Sequence, residues 1–503
     1  MPEVYPNYIR GRWVPARSGA TFESVNPATG EVLGICALSG PEDVAEAVAA
    51  AKEAFPRWRK VPAPRRAEIL YRAAELLVRH KEHYARLMTR EMGKILLESR
   101  GDVQEAIDMT YFLAGEGRRL HGYTTPSEMP HKVAYCVRQP VGVVGVITPW
   151  NFPFAIPSWK IVPALVCGNT VVFKPAPEVP ILGVEFVRVL EEAGLPPGVL
   201  NLVLGGDEVG AALVEHPDVA LISFTGSTEV GLQVAERCAR QGKRVSLEMG
   251  GKNAAIVMDD ADLDLVADAL TWSAFGTTGQ RCTACSRVVV HPRVHGDVAD
   301  VLADRARRLR LGNGLDPETE VGPLVSEAQM RKVERYVRIG REEGAVVRVG
   351  GERAAEGDLA RGFFFRPTVF DRVDPRMRIA QEEIFGPVVA LLQAEDLEEA
   401  IRIVNDVPYG LSASIFTRDV QKAMRAVEDL HTGIVYVNHG TIGAEVHLPF
   451  GGTKFTGNGH REGGTQVLDV FTEWKSVYID YSGRLQRAQI DREPVALREE
   501  GGG

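Results

Sequence analysis

The chain has 503 residues, of which 45% are hydrophobic and 25% charged, and its net charge is −9 at pH 7. This length exceeds what one small core can organise, so we expect two or three domains. The composition excludes collagen, coiled coils and extensive disorder, and the scattered basic residues with a modest negative charge argue against nucleic-acid binding.

The N-terminal segment and the cysteines favour a cytoplasmic protein without membrane contact. Residues 1–13 lack the basic stretch and apolar run of a secretory signal. No run of about 18 uninterrupted apolar residues could cross a bilayer. Six cysteines are too sparse for a disulfide framework in a chain of this length. We therefore expect buried, unreactive thiols, with Cys282 and Cys285 as the exceptions.

Two amphipathic helices are predicted before residue 93. The first covers residues 41–55, where apolar side chains recur at helical spacing behind Pro41, and the second covers residues 64–92.

From residue 141 onward, short apolar strands alternate with helices. The predicted strands cover 141–148, 169–174, 199–204, 219–226, 245–249, 253–258 and 286–290. The predicted helices cover 156–166, 182–193, 208–215, 228–240 and 264–275. This alternation is typical of a parallel sheet covered on both faces, whose ligands bind at the carboxyl ends of the strands. We therefore expect the chemistry in the turns that follow the strands.

The glycine-rich stretches at 312–314 and 350–351 indicate surface loops. The charged tail, residues 482–503, is either loosely held or docked across a partner.

Two motifs contain groups that could bind an oxygen or a phosphate. PWNFP (149–153) follows a strand and would hold the amide of Asn151 rigidly as a donor, although Asn-Phe-Pro is also simply a turn. FTGSTEVG (224–231) places Gly226 and Ser227 at a helix N-terminus, where free amides suit a phosphate. The alternative for Ser227 is an ordinary N-cap.

Two further motifs contain a base and a nucleophile. EMGGK (248–252) offers Glu248 as a general base at the sheet edge, or as an ordinary surface carboxylate. FGTTGQRCTACSR (275–287) presents Cys282 after a glycine-bracketed turn, where backbone amides and positive charge can lower a thiol pKa. Cys285 completes a CxxC spacing, but no second ligand pair suits zinc, so we expect no metal and a passive Cys285.

The order and spacing of these motifs resemble the aldehyde dehydrogenase superfamily, over nearly the whole chain from about residue 26 to residue 480. FKPA around Lys174, EIFGP after Glu383 and LPFGG around Phe450 complete the pattern. The likeness is greatest to the branch that oxidises ketoglutarate semialdehyde and related compounds.

The resemblance implies roles for four catalytic groups. Cys282 matches the nucleophile, and Glu248 matches the base that activates the deacylating water. Asn151 matches the oxyanion donor, working with the backbone amide of Cys282. Lys160 matches a lysine sometimes assigned to proton relay.

The resemblance also implies a cofactor site for NAD, with NADP as the alternative. Lys174 and Glu383 match residues that bind the ribose hydroxyls, and Ser227 and Trp150 match residues at the pyrophosphate and nicotinamide. The other positions implied are Ile147, Thr148, Pro149, Ala176, Glu178, Gly206, Gly210, Phe224, Gly226, Met249 (where the family usually has Leu), Gly250 and Phe385.

One position departs from the family pattern. NAD-preferring members often have Glu three residues after the ribose-binding lysine, and here that position is Pro177, with Glu178 one place later. A carboxylate near the adenosine ribose would repel a 2′-phosphate, so Glu178 favours NAD.

The substrate implied is a small aldehyde. Phe152, Trp159 and Phe450 match pocket-lining aromatics, and the loop 439–447 matches one that closes over the substrate tail. Arg281 precedes the nucleophile and could bind a substrate carboxylate, or could turn outward and cap local carbonyls.

The fold implied is α/β, with two doubly wound parallel-sheet domains and a small β oligomerisation element. The predicted cofactor domain covers 1–117 and 140–249, and the catalytic domain covers 250–449. The bridging element covers 118–139 and 470–482, the tail covers 483–503, and a homodimer or homotetramer follows from the bridging element.

The reaction implied is the NAD(P)-dependent oxidation of an aldehyde to a carboxylic acid. It proceeds through a thioester on Cys282 that water hydrolyses. The aldehyde can be a semialdehyde that bears a carboxylate. Three alternatives stay open. A CoA-acylating dehydrogenase usually lacks the base that Glu248 supplies. A non-catalytic relative would not need the intact set of site residues. A cysteine hydrolase would need a histidine base, which no motif supplies.

Overall fold

The alternating strands and helices form two separate seven-stranded sheets in the computed structural model, which describes residues 3–491. The strands are β1 (Glu3–Tyr5), β2 (Asn7–Ile9), β3 (Arg12–Val14), β4 (Thr21–Val25), β5 (Val32–Ala37), β6 (Tyr123–Pro126), β7 (Lys132–Pro140), β8 (Val143–Ile147), β9 (Thr170–Lys174), β10 (Leu200–Leu202), β11 (Leu221–Thr225), β12 (Arg244–Glu248), β13 (Ala254–Val257), β14 (Arg287–Val290), β15 (Val346–Val349), β16 (Thr368–Asp371), β17 (Val388–Gln393), β18 (Tyr409–Gly410), β19 (Ser412–Phe416), β20 (Ile434–Val437), β21 (Thr453–Lys454) and β22 (Thr472–Asp480).

The helices cover these strands or connect them. They are α1 (Pro41–Trp58), α2 (Ala63–Glu91), α3 (Leu96–Glu116), α4 (Ala155–Cys167), α5 (Pro180–Glu192), α6 (Asp207–Glu215), α7 (Thr228–Arg240), α8 (Leu263–Phe275), α9 (Pro292–Arg308), α10 (Glu327–Glu342), α11 (Arg378–Gln381), α12 (Leu397–Asn405), α13 (Val420–Asp429) and α14 (Val467–Val470).

The first sheet has the strand order β12-β11-β8-β9-β10-β2-β3, and its strands from β12 to β10 run parallel. The register places Ile147 opposite both Lys174 and Phe224, and Thr225 opposite Glu248. The carboxyl ends of four neighbouring strands therefore lie together at one edge, where ligands of such sheets bind.

The second sheet has the order β15-β16-β17-β14-β13-β19-β20, and only β15 runs antiparallel to its neighbour. Its central strands β13 and β14 are fully buried, in agreement with their mostly apolar sequences.

Helix α4 connects the first sheet to a helical layer made of α2 and α3. Every residue of α4 except Ile156 is buried, because the helix lies between β8 and β9 on one side and α2 and α3 on the other. It ends at Gly168, whose φ of +96° is a left-handed conformation that suits glycine.

Two three-stranded sheets lie outside this framework. One has the order β1-β5-β4 and was not predicted. The other has the order β22-β7-β6 and joins the two segments predicted to form the bridging element. The described part of the tail contacts its own chain, because Gln486 Nε2 donates a hydrogen bond to the carbonyl of Pro130 at 2.8 Å. The remainder of the predicted tail, 492–503, lies outside the described residues.

The predicted α/β fold is confirmed, and each predicted helix and strand lies within a few residues of its observed counterpart. Helix α3 was not predicted. The prediction of buried thiols is wrong for Cys136, which lies partly exposed on β7, whereas Cys36, Cys167, Cys238 and Cys285 are buried. Between residues 3 and 491, no helix is both long enough and apolar enough to cross a membrane.

Candidate active site

A cavity of about 440 Å³ opens at the carboxyl edge of the first sheet, and we call it the edge cavity. Strands β8, β9 and β11, the turn after β12 and the loops before β14 and β17 all contribute residues to its lining. Most of the predicted site residues lie on its walls: Ile147, Thr148, Pro149, Trp150, Asn151, Lys174, Ala176, Gly210, Phe224, Gly226, Ser227, Met249, Gly250, Cys282, Glu383 and Phe385.

The loop that presents Cys282 is held from several sides. Thr277, Thr278 and Gly279 all have positive φ, and a Cβ on Gly279 would lie 2.1 Å from the carbonyl oxygen of Gly386. This position therefore requires glycine. The carbonyl of Cys282 itself accepts a hydrogen bond from Asn253 Nδ2 at 2.7 Å. The backbone position of the thiol is thus fixed before any ligand binds.

The environment of Cys282 does not lower its pKa, and in this respect the sequence prediction is wrong. Burial raises the pKa of the thiol to about 12, and the nearby carboxyl groups of Glu383 and Glu248 act in the same direction. The backbone N–H of Thr283 acts against them but is outweighed. These effects disfavour the thiolate form of Cys282.

Asn151 lies on the wall of the edge cavity and is 2% exposed. Its Nδ2 donates to the carbonyl of Gln280 at 3.1 Å, which uses one of the two amide protons. The Oδ1 atom has no hydrogen-bond partner within residues 3–491. A fixed amide with a proton to spare beside a thiol is suited to receive an oxygen that gains negative charge.

Glu248 ends β12 and directly precedes Met249 and Gly250, which line the edge cavity, but Glu248 itself is not one of the lining residues. Its Oε1 is buried and has no hydrogen-bond partner in the described chain. Burial raises the pKa of Glu248 well above its usual value, and the neighbouring Glu462 adds to this effect. Lys160 and Arg461 act in the opposite direction.

Lys160 lies outside the lining of the edge cavity, buried in α4. Its Nζ forms an ion pair with Glu462 and donates to Ser223 Oγ at 3.1 Å. Lys160 and Glu462 therefore form a buried ionic link beside Glu248, and no sequence motif singled out Glu462.

The polar groups of the edge cavity fit a dinucleotide. Lys174 is 6% exposed and forms no ion pair in the described structure, so its ammonium is free to donate. Ser227 caps α7 by accepting from the backbone N–H of Val230, and the first turn of this helix lies at the cavity wall. Glu383 accepts from the N–H of Gly251 at 3.0 Å, which leaves the second carboxylate oxygen for a hydroxyl. A lysine, a helix N-terminus and a carboxylate suit ribose and pyrophosphate.

Two predicted cofactor residues, Glu178 and Gly206, are not on the cavity wall. Burial lowers the pKa of Lys174, and the half-buried Glu178 lies close enough to that lysine to oppose the shift. Asp207, which no motif singled out, lines the cavity and acts on Lys174 in the same way as Glu178.

The predicted substrate residues do not line the edge cavity. Phe152 and Phe450 pack against the hydrophobic cluster that contains Trp159, and we call these three residues the aromatic cluster. Trp159 meets Phe450 edge-on, with ring centroids 5.3 Å apart. The guanidinium of Arg281 lies 5.6 Å from the centroid of Phe152. It does not turn into solvent: it forms an ion pair of 3.1 Å with Glu98, and its Nε donates to Thr277 Oγ1 at 2.9 Å.

Gln329 and Lys332 of α10 also line the edge cavity and were missed. Gln329 Nε2 donates to the carbonyl of Phe385 at 2.7 Å and so holds the loop that follows Glu383. Burial raises the pKa of Glu383, and Lys332 lies close enough to that carboxyl to oppose the shift. The period of α10 indicates only an amphipathic helix, so no signal in the sequence pointed to these two residues.

The fold and the edge cavity define an α/β dehydrogenase with a cysteine at its cofactor cleft, and comparison with known proteins agrees. The model of the Aldehyde dehydrogenase family matches residues 13–477. The alpha-ketoglutarate semialdehyde dehydrogenase of Haloferax volcanii is 44% identical, over 96% of this chain and 100% of the relative. The alpha-ketoglutaric semialdehyde dehydrogenase of Bacillus subtilis is 42% identical, over 95% and 98%. The betaine aldehyde dehydrogenase of Staphylococcus aureus, solved in complex with NAD+, is similar with a TM-score of 0.94 and 36% identity, over 95% of each chain.

The chain belongs to the aldehyde dehydrogenase family. It is an oxidoreductase that acts on aldehydes with a nicotinamide cofactor.

Proposed function

We propose that this enzyme oxidises a semialdehyde bearing a carboxylate to the corresponding diacid, with NAD as acceptor and Cys282 as nucleophile. The observation that supports this proposal is that Cys282 lines the same cavity as Asn151, Lys174 and Glu383. Glu248 is close enough to Cys282 to affect the pKa of its thiol.

In the first half of the reaction, Cys282 gives its proton to solvent, and the thiolate sulfur adds to the aldehyde carbon. The carbonyl oxygen becomes negative, and the spare N–H of Asn151 and the backbone N–H of Cys282 stabilise it. Loss of one such donor typically costs about 100- to 1000-fold in rate. When bound, the nicotinamide cofactor supplies the acceptor for the hydride that leaves the aldehyde carbon.

In the second half, the acyl group is held on Cys282 as a thioester. Glu248 removes a proton from a water that attacks the acyl carbon, the carbon–sulfur bond breaks, and Cys282 leaves as a thiolate. Because Glu248 is buried beside Glu462, the proton it gains can pass towards the buried Lys160–Glu462 pair.

The preference for NAD rests on two carboxylates near Lys174. Glu178 and Asp207 both interact electrostatically with Lys174, so a 2′-phosphate bound at that lysine would meet two negative charges. The staphylococcal relative solved in complex with NAD+ supports the same choice.

The proposal of an acidic substrate is supported by the names of two relatives, which are semialdehyde dehydrogenases, and by Arg281. Arg281 pairs with Glu98 through Nη2 alone, and the guanidinium has further N–H groups for a substrate carboxylate. The loop 439–447 would close over the substrate tail, since Tyr436, just before it, lies within electrostatic reach of Cys282.

The domain boundaries, the location and the assembly are part of the same proposal. We assign residues 1–117 and 140–249 to cofactor binding, 250–449 to catalysis, and 118–139 with 470–482 to subunit bridging. The enzyme would act in the cytoplasm as a homodimer or homotetramer.

Glu248 also weighs against the CoA-acylating alternative, because an enzyme that releases its product to CoA needs no base for water. A requirement for CoA in steady-state turnover would reverse this assignment.

A substrate panel tests the proposal. Succinic semialdehyde and butanal share four carbons and differ in the terminal carboxylate, and each is assayed with NAD and with NADP at the absorbance of the reduced nicotinamide. We expect the highest kcat/KM for succinic semialdehyde with NAD. Cys282→Ser should lose at least about 1000-fold of this activity, since an alcohol is a far weaker nucleophile, while still binding NAD. Equal turnover of the serine variant would disprove the thioester.

A further inference from the structure

Helices α6 and α7 each present one stripe of residues to the edge cavity. In both helices the lining residues follow the spacing i, i+3, i+4 and i+7, so each stripe is a single helix face. The lining residues are Asp207, Gly210, Ala211 and Val214 on α6, and Val230, Gln233, Val234 and Arg237 on α7. Because α6 and α7 are in contact, both stripes border one part of the cavity, which we call the helix slot.

The helix slot is mostly apolar and has open space in it. Val214 and Val234 are buried, whereas Val230 is 46% exposed. A Cβ on Gly210 would have no heavy atom within 4 Å, so the missing side chain of this glycine leaves room in the slot. A flat aromatic group suits such a space, because it buries apolar area on both of its faces.

An ion pair joins the two helices where α6 ends. Arg237 Nη1 donates to Oε1 of Glu215, the last residue of α6, at 2.9 Å. The two side chains are 42% and 57% exposed, and an ion pair this exposed contributes little to stability. Within residues 3–491 the guanidinium forms this one ion pair, so its flat face and its other N–H groups remain for a ligand.

The position of Arg237 along α7 indicates which part of the dinucleotide it meets. The first turn of α7, behind the Ser227 cap, suits the pyrophosphate. Arg237 comes nine positions after Thr228, the first residue of α7, which is about 13 Å along the helix axis, and its side chain leans back towards that turn. The nicotinamide has to lie at Cys282 to accept the hydride. The group beyond the pyrophosphate is therefore the adenosine, and its adenine is the flat group that fits the helix slot.

We propose that Arg237 contacts the adenine ring of the bound cofactor, and that Glu215 is the positioning residue that holds Arg237 ready for this contact. The proposal deepens the proposed function, because it rests on NAD bound in the edge cavity. A guanidinium is planar and weakly hydrated, so it packs against a flat ring better than an ammonium does. The ion pair with Glu215 restricts the guanidinium before the cofactor arrives, which lowers the entropy lost on binding.

Binding of ADP-ribose tests the contact without an aldehyde and without turnover. This probe contains the adenosine and the pyrophosphate but lacks the nicotinamide, and isothermal titration calorimetry on the full-length enzyme gives its Kd. In Arg237→Met the Kd should rise about fivefold, the effect of losing one cation–π contact. In Arg237→Lys we expect a similar rise, because lysine keeps the charge but not the planar group.

Arg240→Met is the matched control. It removes one partner of the exposed Arg240–Glu236 ion pair from the same helix, and Arg240 does not line the edge cavity. Its Kd for ADP-ribose should equal that of the wild type.

Glu215→Met tests the positioning role. The Kd should rise about twofold, since Arg237 then has to be immobilised by the ligand itself. Adding this change to Arg237→Met should cause no further rise, because Glu215 acts only through Arg237.

An unchanged Kd in Arg237→Met would overturn the proposal. A wild-type Kd in Arg237→Lys would do the same, because it would assign Arg237 to the charge of the pyrophosphate. Tighter binding in Glu215→Met would show that the carboxylate repels the ligand and would overturn its positioning role. In each case, turnover of succinic semialdehyde with NAD would leave the proposed function intact. Failure of the wild type to bind ADP-ribose would instead contradict the proposed function.

Discussion

Cys282 and Glu248 are two neighbouring acids whose charged forms the protein disfavours. The pKa of both groups is raised chiefly by burial, and the carboxyl of Glu248 adds to the rise at Cys282. This arrangement disfavours the thiolate, which is the form of a cysteine that oxidises. It also means that Glu248 acts as a base only in the fraction of molecules in which it has lost its proton.

Replacing Glu248 should separate the two halves of the reaction. In Glu248→Gln we expect a stoichiometric burst of reduced cofactor followed by a steady-state rate lower by about 100- to 10000-fold, because only deacylation needs the base. Stopped-flow absorbance of the reduced nicotinamide measures both phases.

The wild-type steady-state rate should also rise with pH. The raised pKa of Glu248 keeps it protonated at and above the pH where a free Glu has ionised, so the base form appears only as the pH passes the folded-state pKa. In Glu248→Gln this rise should be absent. Glu236→Gln, at an exposed position on α7, is the control and should behave as the wild type. Equal loss of burst and turnover in Glu248→Gln would assign the residue to an earlier step.

At the scale of elements, a buried ion pair links the segment before α3 to α3, and its carboxylate also binds the start of α4. Lys94 and Asp102 are both fully buried, and Asp102 Oδ1 also accepts from the backbone N–H of Ala155 at 2.8 Å. The ammonium of Lys94 lies 3.9 Å from the ring centroid of Phe152. The pair therefore fixes the start of the helix that contains Trp159 and contacts the ring of Phe152.

Removing one partner of this pair should be costly. Lys94→Met leaves the carboxylate of Asp102 buried without its cation, and such losses cost about 3–5 kcal/mol. Arg65→Met removes one partner of the exposed Arg65–Glu68 pair and should cost less than about 1 kcal/mol. Shifts of the urea midpoint, followed by tryptophan fluorescence, compare the two variants. Equal shifts would mean that the buried pair contributes no more than a surface pair.

Most elements could be predicted from the sequence because their patterns are local. Strands such as β13 and β14 are mostly apolar, and α7 begins at a serine cap and has a clear polar face. Helix α3 was missed because both of its faces contact protein, so acids such as Asp102 and Glu116 are buried and no apolar stripe stands out. Its burial depends on partners distant in the chain.

The residues of the candidate site likewise fall into those that the sequence predicts and those that it does not. The strand ends and glycine turns around Cys282, Glu248 and Lys174 are encoded locally, so their motifs were visible. Contacts between distant segments were not visible in the sequence. An example is the pairing of Arg281 with Glu98, which joins residues 183 positions apart. The pKa of Cys282 was predicted in the wrong direction, because burial and approaching carboxylates depend on the whole fold.

At the scale of the whole molecule, the sheet of β6, β7 and β22 presents apolar side chains that nothing in residues 3–491 covers. Its outer strand β22 has nine residues and pairs with β7 on one side alone. The exposed aromatic and aliphatic side chains of this sheet are Tyr123, Val133, Trp474, Tyr478 and Ile479. A long, unpaired and apolar edge is a surface on which a second copy of the chain can continue the sheet.

We therefore expect a homo-oligomer whose mass falls when this surface is made acidic. Tyr478 is 69% exposed on β22, so Tyr478→Asp introduces charge without disturbing the core. Light scattering after size exclusion should give a multiple of 54.9 kDa for the wild type and a smaller multiple for this variant. Val420→Asp, at a 71% exposed position on α13, adds the same charge elsewhere and should leave the mass unchanged. A wild-type enzyme of one chain would disprove the bridging assignment, and an unchanged mass in Tyr478→Asp would place the subunit contact on another surface.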